Sequence, residues 1–278
     1  MRALNLVLAI DIRNTHTRLG LAADGVLAAQ WSVGTDAGCT ADEAVACVAT
    51  FFDAVDCGLT PLAPEAALAA IDLPSCAPLA DGAIIASVFP SLTEVWVEAA
   101  RRVTGTRPLT VGPGLKSGLK MAFSDPASVG ADRVAEMVAA KTAYGAPVLV
   151  VDLGTSTTFE LLDREGSFKG GIIAPGMRLG AAALARGAAQ LPSVELRAPR
   201  SLLGRTTEAA MQSGIVMGEV ARIDGLIDMI WDDAGYTTPV VLTGRGAEGI
   251  AALMAHDAVV DQTLGLRGLV ELHALNRR

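Results

Sequence analysis

Positive charge is the minority species in this chain, with 22 Lys and Arg against 30 Asp and Glu. The formal net charge of −8 supplies no footprint for gripping a polyanion or an anionic membrane. Nucleic acid and membrane are therefore not expected as partners, and a small molecule is. Cysteine is scarce. Cys39, Cys47, Cys57 and Cys76 lie in the first third with no C-x-x-C pair and no histidine cluster, which argues against a zinc site or a disulfide framework; they read as reduced core or helix thiols. No run reaches the ~20 uninterrupted apolar residues of a membrane span. The first apolar run is broken by Asp11 and has no small-residue cleavage site, so no secretory signal is expected and the cytoplasm is the expected location. Aromatics make up only 4% of the residues, and Trp31, Trp96 and Trp231 are read as packing residues. Of the three histidines, His16 lies in a polar loop, while His256 and His273 fall on late helical segments and read as surface or packing. The alanine runs Ala66 to Ala70 and Ala181 to Ala183 favour close helix contacts.

The chain is rich in apolar residues: 51% of its 278 residues are hydrophobic, enough for one large core or two smaller ones. It also repeats itself. "VLVVDLGTSTTFELLDREGSF", from Val148, lies beneath "VLAIDIRNTHTRLGLAADGVL", from Val7, without a gap. Asp152 falls on Asp11, Gly154 on Arg13, Thr155 on Asn14, Thr158 on Thr17, and Glu165-Gly166 on Asp24-Gly25. Each copy reads as strand, polar loop, strand, acidic-Gly turn, strand. After the first come a helix capped by Thr40 with Glu43, a strand at "AIIASVF", a helix at "SLTEVWVEAARRVTG" and a strand at "PLTVG". After the second come helices near "GAAALARGAAQ" and from "TTEAAMQSG", a strand "PVVLTG" and a closing helix "LRGLVELHALNRR". Two α/β lobes with mixed sheets are expected, divided as residues 1–125 and 126–278, with a ligand cleft between them.

A carboxylate at the end of a buried strand, followed by a turn rich in Gly, Ser, Thr and Asn, offers an anchor for a hard cation, backbone N–H groups and hydroxyl donors for phosphate oxygens. The second copy places Thr155, Ser156, Thr157 and Thr158 beside Asp152; the first places Asn14, Thr15 and Thr17 beside Asp11. Either loop alone is an ordinary hairpin turn as readily as a nucleotide site, and the repetition favours phosphate. Between the copies, "SDPASVGADRVAEMVAA" is turn-rich up to Gly130 and helical beyond. Asp132 and Arg133 at that junction admit two readings. They are a helix-capping pair with a solvated arginine, or a carboxylate that accepts a hydroxyl proton beside a guanidinium that orients an anionic substrate.

These segments, together with "GGIIAPGM", "LPSVELRAPRSLLGRTTEAAMQSGIVMGEVARIDGLI" and "LTGRGA", resemble the type III pantothenate kinases in order and spacing over nearly the whole chain. That family belongs to the sugar kinase, heat-shock protein 70 and actin superfamily. The resemblance implies duplicated actin-like (ribonuclease H-like) lobes and transfer of the ATP γ-phosphoryl group to the primary hydroxyl of pantothenate, the first step of coenzyme A synthesis. It implies Mg²⁺ or a similar divalent cation and a monovalent cation, K⁺ or NH₄⁺. By the same resemblance, Asp132 is the proton acceptor; Gly130, Ala131 and Arg133 bind pantothenate; Asp152 holds the monovalent cation; and Thr155 contacts ATP. Asp11, Ile12, Arg13, Asn14, Thr15, His16, Thr17 and Arg18 form the N-lobe phosphate segment. A homodimer is implied, with Thr207 completing a pantothenate pocket at the interface.

The chain departs from the family pattern at ligand positions. Arg13 stands for the glycine of D-x-G-N-T, Arg245 for a glycine of the T-G-G segment, Phe123 for a substrate-contacting tyrosine, and Thr206 for the asparagine before Thr207. At a positive φ, Arg13 would carry a strain of roughly 1–2 kcal/mol; at a negative φ its guanidinium has a phosphate or a carboxylate such as Asp11 or Asp152 within reach. Two other functions compete with pantothenate phosphorylation: a weak or inactive homologue with a binding or regulatory role, and a kinase of the same superfamily acting on another small hydroxylated substrate.

Overall fold

The computed structural model describes residues 4–59, 78–188 and 191–277; Cys76 and the run from Ala66 to Ala70 lie outside the described residues. Contacts group the chain into two compact units. Unit 1 comprises Met1–Leu119, Ser124–Thr142 and Thr263–Arg278, and unit 2 comprises Lys120–Phe123 and Ala143–Gln262. A single cut between residues 125 and 126 does not describe this grouping, because the helix carrying Asp132 and the last helix group with the first sheet.

In unit 1, β1 (Leu6–Ile12), β2 (His16–Ala23) and β3 (Val26–Gly34) form the first meander, and β4 (Gly82–Ser87) and β5 (Leu109–Thr110) extend it in the order β3-β2-β1-β4-β5. β4 runs parallel to β1, so the connection between them carries a helix, α1 (Ala41–Asp56). Thr40 and Glu43 form the expected capping box at its start. Helix α2 (Pro90–Thr104) stops at Gly105, which takes a left-handed conformation. Strand alternation decides what each face holds. Leu6, Leu8, Ile10 and Ile12 pack with Phe51 of α1 and Trp96 of α2, so Val7, Ala9 and Asp11 turn to the opposite face.

That opposite face receives the C-terminal helix over Leu264–Asn276, and α3 (Ala131–Tyr144) packs against that helix. The contact between these two is so close that a Cβ on Gly268 would fall 1.8 Å from the carbonyl oxygen of Ala135.

In unit 2, β6 (Lys120–Met121), β7 (Val148–Leu153), β8 (Ser156–Leu162) and β9 (Ser167–Pro175) are followed by α4 (Met177–Gly187), α5 (Thr207–Ala234), β10 (Val240–Gly244), the short α6 (Ala247–Ala251) and β11 (Val259–Val260). The helix over Leu264–Asn276 is thus α7. The sheet runs β11-β10-β7-β8-β9-β6, with β10 parallel to β7. Leu149, Val151, Leu153 and Phe159 pack on Val216, Val220, Ile223 and Ile227 of α5. By alternation, Asp152 faces the other way.

The internal repeat holds, with one correction to its register. Asp11 sits opposite Arg18, whereas Asp152 sits opposite Thr158. The β7–β8 turn is therefore one residue shorter than the β1–β2 turn, and Thr157, not Thr158, takes the place of Thr17. A Cβ on Gly154 would lie 3.3 Å from the carbonyl oxygen of Ser156, so the tighter turn leaves little room for a side chain, and the longer turn accommodates Arg13. The second turns differ too. Asp24 and Gly25, at φ 48° and 84°, make a two-residue turn of the primed kind. Glu165 and Gly166 instead sit in a longer loop between the paired Leu162 and Phe168, closed by N–H donors of Glu165 and Ser167 on the carboxylate of Asp163.

Candidate functional site

Asp11 lies next to the end of β1 on the face covered by α7, and it is buried. Two residues on, Arg13 has a negative φ, since Asp24 is the only non-glycine residue at positive φ among the described residues. The guanidinium turns inward. Its Nε donates to Asp11 Oδ2 at 2.7 Å, and its Nη2 donates to the carboxylate of Glu136, a buried residue on α3. α7 makes room for this pairing through Gly265, where an added Cβ would come within 3.2 Å of the guanidinium and 3.5 Å of Asp11. The second oxygen of Asp11, Oδ1, is buried and accepts no hydrogen bond.

The loop between β1 and β2 is held by Thr35, just beyond the end of β3. Thr35 Oγ1 donates to the carbonyl oxygen of Arg13 at 2.7 Å and touches the Thr17 hydroxyl at 3.0 Å, and Thr35 N donates to Thr15 O. Asn14 and Thr15 are exposed at its tip, and the His16 ring meets the Thr15 hydroxyl. Ile12 packs in the core. Arg18, opposite Asp11 on β2, is half-buried.

The segment before α3 is a turn of 3₁₀ helix over Pro126–Ser128, capped by Asp125. Gly130 follows, with Ala131, Asp132 and Arg133 in the first turn of α3, all half-buried. The Asp132 carboxylate folds back on the chain and accepts the Arg133 N–H at 2.8 Å. A Cβ on Gly130 would lie 2.6 Å from Asp132 Oδ1, so the glycine is what lets the carboxylate take this place. Glu136 stands one turn beyond Asp132 on the same helix. Arg13 thus ties the end of β1 to the helix that bears Asp132.

In unit 2, Asp152 closes β7 and is buried between neighbours on adjacent strands, Thr243 of β10 and Thr158 of β8. Both hydroxyls are buried and lack a hydrogen-bond partner. A carboxylate flanked by two hydroxyl oxygens suits a hard, oxygen-seeking cation. Gly244, at φ 89°, makes space for the carboxylate: a Cβ there would sit 2.4 Å from Asp152 Oδ1. Its neighbour Arg245 is exposed, with its N–H on the carbonyl of Leu153. Thr155 is half-buried in the turn. Among the described residues no group of three or more His, Cys, Asp and Glu could hold a metal ion.

Two further expected residues lie elsewhere in unit 2. Phe123 stacks edge-on against Phe168, with ring centroids 4.8 Å apart. Thr207 is the exposed first residue of α5, and Thr206 before it caps that helix by accepting the N–H of Ala209. The sequence did not single out Glu136, Thr35, Glu219 or Arg222, and it pointed to Thr243 and Gly244 only as part of the T-G-G-like segment. The signal for Glu136 and Glu219 was an acid inside an otherwise apolar helical stretch, "VAEMVAA" and "IVMGEVARI".

The family model for type III pantothenate kinase matches residues 7–229. A type III pantothenate kinase of Brevibacillus brevis is 37% identical over 276 residues, 98% of this chain and 100% of that protein. One from Moorella thermoacetica is 38% identical over 268 residues, 95% and 97% of the two chains. Among solved structures, the ethanolamine utilization protein EutJ of Carboxydothermus hydrogenoformans superposes with a TM-score of 0.52 at 14% identity, over 97% of this chain and 90% of that one. That likeness speaks to fold alone, and it agrees with the expected pair of actin-like lobes, each a mixed sheet with a meander and flanking helices.

Proposed function

This chain belongs to the type III pantothenate kinase family, and we propose that it transfers the γ-phosphoryl group of ATP to the primary hydroxyl of pantothenate, the first step of coenzyme A synthesis. The observation that carries the reading is the family match across residues 7–229, with relatives aligned over nearly the full length of both chains. No helix among the described residues is long and apolar enough to cross a membrane, and the cytoplasm is the proposed site of action.

Phosphoryl transfer demands little covalent work from the protein, so positioned charges and donors supply most of the acceleration. In the proposed mechanism Asp132 accepts the proton of the pantothenate hydroxyl. Its carboxylate is held at the start of α3 by the Arg133 N–H and by the clearance over Gly130, which supports this role. Arg133, with Gly130 and Ala131, orients the pantothenate carboxylate end. The ring of Phe123 contributes an apolar wall, braced by Phe168. The loop from Asp11 to Arg18 and the loop at Thr155 offer N–H and hydroxyl donors to the phosphates. Asp152, with the neighbouring orphan hydroxyls of Thr243 and Thr158, would hold K⁺ or NH₄⁺, and a divalent cation arriving with the nucleotide would supply neutralisation of charge on the transferred phosphoryl group.

A homodimer, with Thr207 of one protomer completing the pantothenate pocket of its partner, is part of the proposal. It is supported by apolar side chains left in solvent on unit 2. α4 buries none of its residues and exposes Leu179 and Leu184, and Leu202 and Leu203 are exposed just before α5.

The deciding experiment is a steady-state assay with ATP, pantothenate, Mg²⁺ and K⁺. The folded protein is expected to form phosphopantothenate, and Asp132→Asn is expected to lower turnover by about 10²- to 10⁴-fold without loss of ATP binding. No product above background from folded protein would sink the proposal.

A further inference from the structure

The two repeated loops are closed by different means. In unit 1 the Thr17 hydroxyl meets Thr35, and the Thr35 hydroxyl in turn holds the carbonyl of Arg13. In unit 2 the backbone keeps the corresponding bond, with Gly176 N donating to Thr155 O at 3.0 Å as Thr35 N donates to Thr15 O at 3.0 Å. The side chain, however, is gone. A Cβ at Gly176 would fall 2.4 Å from the carbonyl oxygen of Gly154 and 2.7 Å from that of Thr155, so no threonine fits there. The buried Thr157 hydroxyl must find its partner elsewhere.

It finds it on α5. Thr157 lies on the helix side of β8 and donates from Oγ1 to Glu219 Oε1 at 2.5 Å. The other oxygen of Glu219 takes Nη2 of Arg222, one turn on, and the same Nη2 donates to the carbonyl oxygen of Pro175 at 2.7 Å. α5 therefore grips β8 at Thr157, directly after the turn of residues 154–156, and β9 at Pro175, which pairs with Ser156 and precedes the Gly176 packed against that turn.

The pair is poorly built as a source of stability. Glu219 is buried, its carboxyl pushed above the ordinary range by that burial despite Thr157 and Arg222, and the Nε–H of Arg222 is buried without an acceptor. Buried ion pairs of this kind add little net stability, and an unpaired donor subtracts from it. What the arrangement does supply is a fixed position for one turn.

We propose that Glu219 and Arg222 are positioning residues for the ATP-binding turn at residues 154–156, acting through Thr157 and Pro175. The inference rests on the reading that this turn contacts ATP. Thr157→Val removes the hydroxyl and keeps the shape. Glu219→Gln keeps an acceptor for that hydroxyl but turns an amide donor toward the Arg222 guanidinium. Thr157→Ser restores the hydroxyl.

The test measures, on the full chain, the affinity for a non-hydrolysable ATP analogue with Mg²⁺ by calorimetry, the KM values for ATP and pantothenate, and the melting temperature. Thr157→Val and Glu219→Gln are expected to weaken the analogue and raise the ATP KM by about 10-fold or more, as a small misplacement of contact groups does. The pantothenate KM is expected to stay within about twofold, and Thr157→Ser to bind the analogue like the parent. Should Thr157→Val fail to fold, Glu219→Gln against the parent carries the same comparison. Analogue affinity unchanged in both variants overturns the proposal, as does a loss for ATP and pantothenate alike that merely follows the melting temperature. A parent that binds the analogue but makes no phosphopantothenate overturns the assigned reaction instead, and the analogue affinities still decide this inference.

Discussion

Arg13 and Glu136 stand 123 residues apart in sequence, yet the guanidinium of one donates directly to the carboxylate of the other, with Asp11 accepting from the same guanidinium at 2.7 Å. One cation thus serves two buried acids. It joins the end of the first strand to the helix whose opening turn carries Asp132, at a position where the second copy of the repeat has glycine.

Arg13→Gly is accordingly expected to destabilise unit 1. Removing one partner of a buried pair costs about 3–5 kcal/mol, and the partial exposure of Arg13 places this case near the lower end, about 3 kcal/mol. Urea unfolding at pH 8 measures it, and adding Glu136→Gln is expected to recover much of the loss. Equal stability of Arg13→Gly and the parent would contradict the account.

Gly130→Ala tests the placement of the Asp132 carboxylate. The new methyl group would stand 2.6 Å from Oδ1 and drive the carboxylate aside. Since Gly130 does not use a positive φ, the backbone itself tolerates alanine. Turnover is expected to drop about 10-fold or more, with the melting temperature within a few degrees of the parent. Parallel loss of both would point to misfolding rather than to displacement of the carboxylate proposed as proton acceptor.

Gly244 and Arg245 are neighbours with opposite expectations. Gly244→Ala forces a Cβ into a φ of 89° and to within 2.4 Å of Asp152 Oδ1 and of the Leu153 carbonyl oxygen. A stability loss of at least ~1–2 kcal/mol from the backbone alone is expected, together with a changed dependence of activity on K⁺ concentration. Arg245→Gly, on an exposed side chain, is expected to leave stability within about 0.5 kcal/mol of the parent. Thermal unfolding of the pair, with a K⁺ titration of turnover, separates the two; a benign Gly244→Ala would mean that Asp152 does not need its present position.

The His256 ring is clamped between Asp224 at 2.8 Å and Asp228 at 2.9 Å and stacks edge-on against Trp231. Its hydrogen bond to Asp224 and the charges of both carboxylates raise its pKa above the usual value. Burial pushes Asp224 upward, but the N–H groups of Ala255 and His256 and the imidazole outweigh it and hold the carboxyl below its usual value, so it remains charged through neutrality. Stability from protonated His256 is fully present below about pH 6.5, the unfolded value, and is lost as pH rises through the higher folded pKa. The difference in melting temperature between the parent and His256→Gln is therefore expected to be larger at pH 6 than at pH 9. A gap that widens with pH would reverse the assignment.

Much of this was legible along the chain. Short continuous apolar runs leading to an aspartate marked β1 and β7, the Thr40 and Glu43 pair marked the start of α1, and the repeat itself pointed to two similar sheets. Register escaped, because a gap-free overlay of sequence cannot sense that Gly154 permits a turn one residue tighter than the one holding Arg13. Grouping escaped as well: α7 is last in sequence but packs against the strand that comes first, and only contacts over that separation place it there.

The site divides along the same line. Asp11, Asp152 and the hydroxyl-rich turns could be proposed from residue type and local spacing, because a strand end is a local event with a period of 2 residues, whereas the role proposed for Asp132 came only with the family resemblance. Whether Arg13 faced a phosphate or a carboxylate, and what held Thr157, depended on Glu136 and Glu219, which lie 123 and 62 residues away. Such pairings are set by which helix covers which sheet face, and hence by burial and close packing summed over the whole unit. No local pattern encodes them, so the folded protein alone decides them.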